Sequence, residues 1–194
     1  MALSAGFFGL EPARAQGGRT ATQGFNRYPI KNGQTGAIGL GDPVKLINQV
    51  GGGLTTCSAT TDKCLGVFMG CVFNNPLNGN QPRWQPNWPT ATSTTDGSQP
   101  YALVSDDPFA TYFIQANASI SIGDIGMNFD VAVSIPNATT GRSTYSLAAT
   151  SRTTASALLQ LVDIKQDPNN AFGDATPIVE VRIVQNRNAY TSAF

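Results

Sequence analysis

The chain has 194 residues, enough for one domain with a real core, and its 12 basic and 12 acidic residues cancel at pH 7. That balance excludes a global field aimed at nucleic acid or an anionic membrane. The absence of histidine removes the commonest general base, the usual zinc ligand and every Ser-His or Cys-His nucleophile pair.

Only 12 % of the residues are charged, about half the usual share in a soluble domain, so few charges would have to be desolvated where the surface meets other protein. The N-terminal "MALSAGFFGL" followed by "EPARAQ" imitates a secretory signal. No Lys or Arg precedes its short apolar run, however, and Glu11-Pro12 interrupts the approach to the cleavage-like "ARA". The next stretch, "AQGGRTATQGFNR", has almost nothing to bury. Residues 1–27 are therefore expected to be an extended arm that orders on a partner, and residues 28–194 the body. Deleting the arm should then leave the body's melting temperature nearly unchanged.

From Tyr28 the pattern changes to short apolar runs separated by Gly, Pro, Asn and Asp. "AIGLGDPVKLIN" is the first. "CLGVFMGCVF" follows, with Leu65, Val67, Met69, Cys71 and Phe73 on one face at period two. Residues 74–99 read as a Pro/Trp-rich loop. If it is extended, Trp84 and Trp88 lie on one side about 13 Å apart, either as a sugar- or peptide-binding pair or packed over the body. "YALVSDD" and "TYFIQANASI" come next. "FDVAVSI" then puts Phe129, Val131, Val133 and Ile135 on one face. "ASALLQLVDIK" fits a helical stripe or a strand, and its stop at Asp-Pro favours the strand. "PIVEVRIVQ" alternates cleanly, with Val179, Val181 and Ile183 inward and Glu180 outward on a solvated or interface face beside its same-face neighbour Arg182. This succession predicts an all-β antiparallel sandwich or barrel, jelly-roll-like, with the extended N-terminal arm.

Candidate chemistry is sparse. Cys57, Cys64 and Cys71 lack the close spacing of zinc or redox sites and are expected to be small reduced thiols, although "SATTDK" leaves a Cys57–Cys64 disulfide geometrically open. Asp106, Asp107, Asp124 and Asp130 stand at strand ends before Pro or Gly or beside turns, where a carboxylate usually accepts backbone N–H bonds. "DPNNAFGD" offers Asp167 and Asn169 at the first and third positions of a calcium loop. Its fifth, sixth and twelfth positions are Ala171, Phe172 and Ile178, which cannot serve. Phe172 is expected to pin this connector to the body or to a neighbour.

Read in order, "FGLEPAR", "YPIKNGQTGAIGLGDPVKL", "LGVFMGCVF" with "QPRWQPNWP", "YALVSDDPFATYFIQA", "DIGMNFDV" and "DPNNAFGDATPIVEVRI" resemble the head decoration, or cement, proteins of tailed bacteriophages. The resemblance spans nearly the whole chain, except for "AQGGRTATQGFNR". It implies a β-rich body without an enzymatic task or cofactor, docked on the outer surface of a virion where major capsid subunits meet. It further implies assembly in the bacterial host cytoplasm as a homo-oligomer, a trimer ahead of a dimer, with no direct contact to nucleic acid or membrane. Phe7, Phe8, Leu10, Arg14, Trp84, Trp88 and Phe172 are the candidate interface residues. The alternative expectation is a carbohydrate- or receptor-binding virion module that uses Trp84 and Trp88.

Overall fold

The structure, a computed structural model, describes residues 6–15, 24–47, 52–58 and 61–187. In chain order the strands are β1 (Glu11–Ala15), β2 (Asn26–Pro29), β3 (Pro43–Leu46), β4 (Leu54–Thr56), β5 (Gly66–Asn75), β6 (Gln81–Gln85) and β7 (Tyr101–Ser105). They continue as β8 (Ala110–Gln115), β9 (Asn128–Phe129), β10 (Val131–Ala132), β11 (Ser146–Leu147), β12 (Leu159–Ile164) and β13 (Ile178–Ile183). One antiparallel sheet runs β1-β8-β13-β12-β9. The second runs β2-β7-β5-β3-β4, with β6 also on β5, and β10 pairs with β11 alone. The two large sheets pack as a β-sandwich.

The inward residues of "PIVEVRIV" explain the first sheet. Val179, Val181 and Ile183 are buried, and they meet Tyr112, Ile114, Leu159 and Leu161 from the neighbouring strands and Val67 from the second sheet. A second apolar cluster covers the far face of the second sheet and holds Ile38, Val44, Phe68, Phe73, Trp88 and Val104. β5 is thus buried on both faces, which is why its sequence is a nearly continuous apolar run.

That double burial corrects the expected face. Gly70 adopts φ +113, and the pairing of β5 with β7 shifts between Phe68 and Cys71. One extra residue reverses the alternation, as a β-bulge does. Val67 and Met69 pack into the inter-sheet core, whereas Leu65, Phe68, Cys71 and Phe73 belong to the other cluster.

Three further expectations change. Residues 129–135 do not form one strand: β9 pairs with β12, β10 pairs with β11, and Val133 and Ile135 project from the surface. The 74–99 segment is not one loop, because β5 continues to Asn75 and turns through Pro76–Asn78 into β6. Cys57 and Cys64 form a disulfide with Cα atoms 6.3 Å apart, while Cys71 is free and buried. Both cysteines lie in the connection between β4 and β5, seven residues apart.

The expected arm is also corrected where it is described. Residues 6–15 lie on the body: β1 pairs antiparallel with β8, and Leu10 is buried. Residues 1–5 and 16–23 lie outside the described residues. β1, β2 and β6 contain Pro12, Pro29 and Pro82 respectively. A proline has no N–H to offer a further strand, so these positions blunt strand addition by a neighbouring chain.

Candidate functional site

The N-terminal segment is fixed by backbone bonds before its side chains act. Gly9 N donates to the Tyr145 carbonyl at 3.1 Å, and Leu10 N to the Gly41 carbonyl at 2.8 Å. Gly6 N donates to Gln115 Oε1 at 3.0 Å. Further along, Arg14 Nε donates to Glu180 Oε1 at 2.7 Å, across the intervening strand β8. The Thr111 hydroxyl of β8 lies 2.6 Å from the same carboxylate oxygen.

Glu180 is therefore not a solvated residue beside Arg182. It is only 4 % exposed, and Arg182 turns instead to Gln160, with Nε 2.7 Å from Oε1. A buried carboxylate needs a charged donor, and Arg14 provides it from the edge strand. The hydrogen bond that Arg14 donates to Glu180, followed by the charge of that carboxylate, raises the pKa of Arg14 further.

Phe8 and Leu10, with Pro12, Leu40 and Met69, line an apolar cleft of about 250 Å³ that Glu11 and Arg142 border. Phe7 and Phe8 are each half-buried. Of the N-terminal candidates, Leu10 and Arg14 are thus committed to the fold, and Phe7 and Phe8 retain accessible surface.

Trp84 and Trp88 are separated by the fold. Trp84 lies on β6 opposite Val72, about half exposed, with its indole over Gly70. A Cβ at Gly70 would come within 2.6 Å of Trp84 Nε1, so the absence of a side chain at residue 70 lets the ring lie down. Trp88 is fully buried and meets Phe73 edge-on at 5.1 Å between ring centres. Its backbone pairs with Ile38 in both directions, at 3.1 and 2.8 Å. One indole at the surface and one in the core cannot form the expected paired platform.

Phe172 packs, partly buried, against the inter-sheet core. The neighbouring Asn170 organises the connector. Its Nδ2 donates to the carbonyls of Lys165 and Ile178, and its Oδ1 accepts from Ile178 N, all at 2.8 Å. Those three bonds fasten the end of β12 to the start of β13. Asp167 and Asp174 accept bonds from the N–H groups of Asn169 and Ala171. The stretch is a register clamp, as its turn chemistry suggests.

The other aspartates have similar local duties. Asp106 accepts from Asn26 Nδ2 and the Tyr28 hydroxyl, and Asp107 from Phe109 N. Asp124 accepts from Ser121 N at 2.8 Å and Arg152 Nη1 at 2.5 Å. Burial pushes its pKa up, but the bonds from Ser121 and Arg152 outweigh that and leave it below the ordinary value. Among the described residues no group of three or more Cys, Asp or Glu side chains is placed to hold a metal ion.

Sequence patterning missed a further class of residue. Leu77 is 96 % exposed, Ile135 81 % and Ile122 70 %, and Phe109 and Val133 are also exposed. Leu77 caps the β5–β6 turn beside a groove of about 410 Å³ that Phe73, Pro76 and Pro89 also line. These side chains fall in short runs that look like strand or turn sequence, and only the tertiary fold shows that no described residue covers them. No family model, no curated protein and no solved structure matches this chain.

Proposed function

We propose that this chain is a structural virion protein that binds the outer surface of a phage capsid and clamps neighbouring major capsid subunits. The observation that carries the reading is the set of bare apolar side chains at connections, Leu77, Phe109, Ile122, Val133 and Ile135, on a surface poor in charge. Isolated apolar groups on a soluble protein are ordinary, but large ones concentrated on turns suit a surface that is covered in an assembly. The ordered resemblance to capsid decoration proteins supplies the partner.

In this reading each copy contacts more than one capsid subunit. Once the first contact has formed, the second forms at a high local concentration, so neither has to be strong alone. A homo-oligomer, a trimer ahead of a dimer, multiplies that tethering. Blunted strand edges direct the contacts to side chains in place of added strands. The location is the outer face of the virion.

The test is to mix the purified protein with capsids that lack it and measure co-sedimentation. Saturable binding is expected, together with capsid rupture at a higher temperature. Leu77→Asp combined with Ile135→Asp should reduce binding while preserving the melting temperature of the free protein. Absence of co-sedimentation at any concentration would sink the proposal.

A further inference from the structure

Among the described residues, Asp42 is a buried acid without a cation partner. Its side chain is fully shielded from solvent, and Oδ1 has no hydrogen-bond partner. Oδ2 accepts from Gly39 N at 2.7 Å. Such an arrangement is costly for a carboxylate, and asparagine would fill the same turn without the charge. Among the described residues the groups that act on it are the Gly39 amide and the Ser143 hydroxyl, neither of them positive, and its charge in turn disfavours ionisation of Tyr145. Burial raises its pKa to about 6, with Ser143 and Gly39 only partly opposing.

The next residue is Pro43, and the Asp42 carbonyl is itself engaged: it accepts from Phe68 N at 2.9 Å. We propose that the Asp42–Pro43 peptide bond is a site of slow self-cleavage in the folded protein under mildly acidic conditions. In the step, an oxygen of the protonated Asp42 carboxyl attacks the Asp42 carbonyl carbon and closes a five-membered ring. The bond from that carbon to Pro43 nitrogen breaks, and the carboxyl proton passes to the nitrogen, which leaves as a secondary amine. The cyclic anhydride left on Asp42 is opened by one water molecule, so the net reaction is hydrolysis. Proline favours this route because its tertiary amide nitrogen leaves readily once protonated. The bond from Phe68 N favours the charge that develops on the carbonyl oxygen, as an oxyanion donor does.

Two other Asp-Pro bonds serve as internal controls. Asp107 Oδ1 accepts from Phe109 N at 2.8 Å, and Asp167 Oδ1 accepts from Asn169 N at 3.0 Å. Both carboxylates cap their own turns, and neither is buried. Asp42 alone of the three has a shielded carboxyl with an unengaged oxygen. At about pH 5 a carboxyl with its pKa near 6 is mostly protonated, as the attack requires.

The experiment holds the full chain, folded, at about pH 5 and at about pH 8, and follows intact mass. Fragments 1–42 and 43–194 should accumulate at the lower pH, and faster than products of the other two Asp-Pro bonds, whose carboxylates are engaged in their own turns. In urea at the same pH the preference should vanish. Asp42→Asn should abolish the fragments and Asp107→Asn should not. Pro43→Ala, which keeps the buried carboxyl, should also suppress them, so a failure of Asp42→Asn to fold leaves the test intact. Absence of the 1–42 fragment from the folded wild-type chain, or equal cleavage at all three bonds, would overturn the proposal. The inference is independent of the capsid reading.

Discussion

Arg14 Nε and Glu180 Oε1 lie 2.7 Å apart, although 166 residues separate them in the chain, and this contact joins the edge strand β1 to β13 across β8. The pair is unequal, because the Arg14 side chain is 60 % exposed and that of Glu180 is 5 %. Arg14 keeps most of its hydration, while Glu180 depends on its protein partners.

Arg14→Ala should therefore destabilise the fold by about 1–2 kcal/mol in chemical denaturation, because it leaves a shielded carboxylate with one hydroxyl donor. Glu180→Gln should cost less, since the amide needs no counter-charge. Removing residues 1–15 should lower the melting temperature by several degrees or more, because the burial of Leu10 alone stabilises by about 2 kcal/mol. An unchanged melting temperature after truncation would return these residues to the status of a free arm.

The two tryptophans provide a second test. Trp88→Ala empties the space against Phe73 and should cost about 3–5 kcal/mol. Trp84→Ala should cost under about 1 kcal/mol, as for most surface positions. In fluorescence, the Trp88→Phe protein should emit at longer wavelength and be readily quenched by acrylamide. The Trp84→Phe protein should show shielded, blue-shifted emission. Equal quenching of the two proteins would contradict their placement.

Asp42 links stability to pH. Its folded-state pKa of about 6 lies above the ordinary 3.8, so the folded chain takes up this proton more readily than the unfolded one. Its favourable contribution is complete below about pH 4 and is lost as pH rises through about 6. The loss reaches about 3 kcal/mol at neutral pH. Asp96 and Asp124 are shifted down and act in the opposite direction, with stability lost as pH falls. The difference between wild type and Asp42→Asn isolates the Asp42 contribution. The variant should be the more stable protein at pH 7, and its advantage should shrink toward pH 4. A constant difference across this range would contradict a buried, unpaired carboxyl.

Much of the first sheet was legible because "PIVEVRIV" alternates without interruption and "LLQLVDI" stops at Asp-Pro. β5 was legible as a strand but not in its faces, because a bulge at Gly70 changes the phase without changing the composition. β1 was hidden for a different reason. "EPARA" has no apolar stripe of its own, and what holds it is a carboxylate far along the chain. Local periodicity cannot report such a contact. For Trp88 the prolines on either side indicate an extended path but not which way the ring faces, and its pairing with Ile38 takes it inward. Phe172 packs against the core, and the residue that organises its turn is Asn170, whose polar side chain gives no apolar pattern to read.

The cysteines provide the last prediction. Cys57 and Cys64 are linked and Cys71 is free. Burial raises the Cys71 pKa to about 12, so its reactive thiolate is scarce in the folded protein. A thiol reagent should find almost no reactive group in the native chain, one after unfolding without reductant and three after unfolding with reductant. Replacing both linked cysteines by serine should cost about 2.5 kcal/mol from the loop entropy returned to the unfolded chain. The closed loop is short, and entropy grows only slowly with its length, so this link is a modest clasp. Since Lys45 also reaches Asp62 inside that turn, at 2.5 Å, the reduced protein should stay folded with a lowered melting temperature. Three reactive thiols after unfolding without reductant would show that the chain carries no such link. The β4–β5 turn would then rest on its polar contacts and on the apolar packing around Cys57 and Cys64.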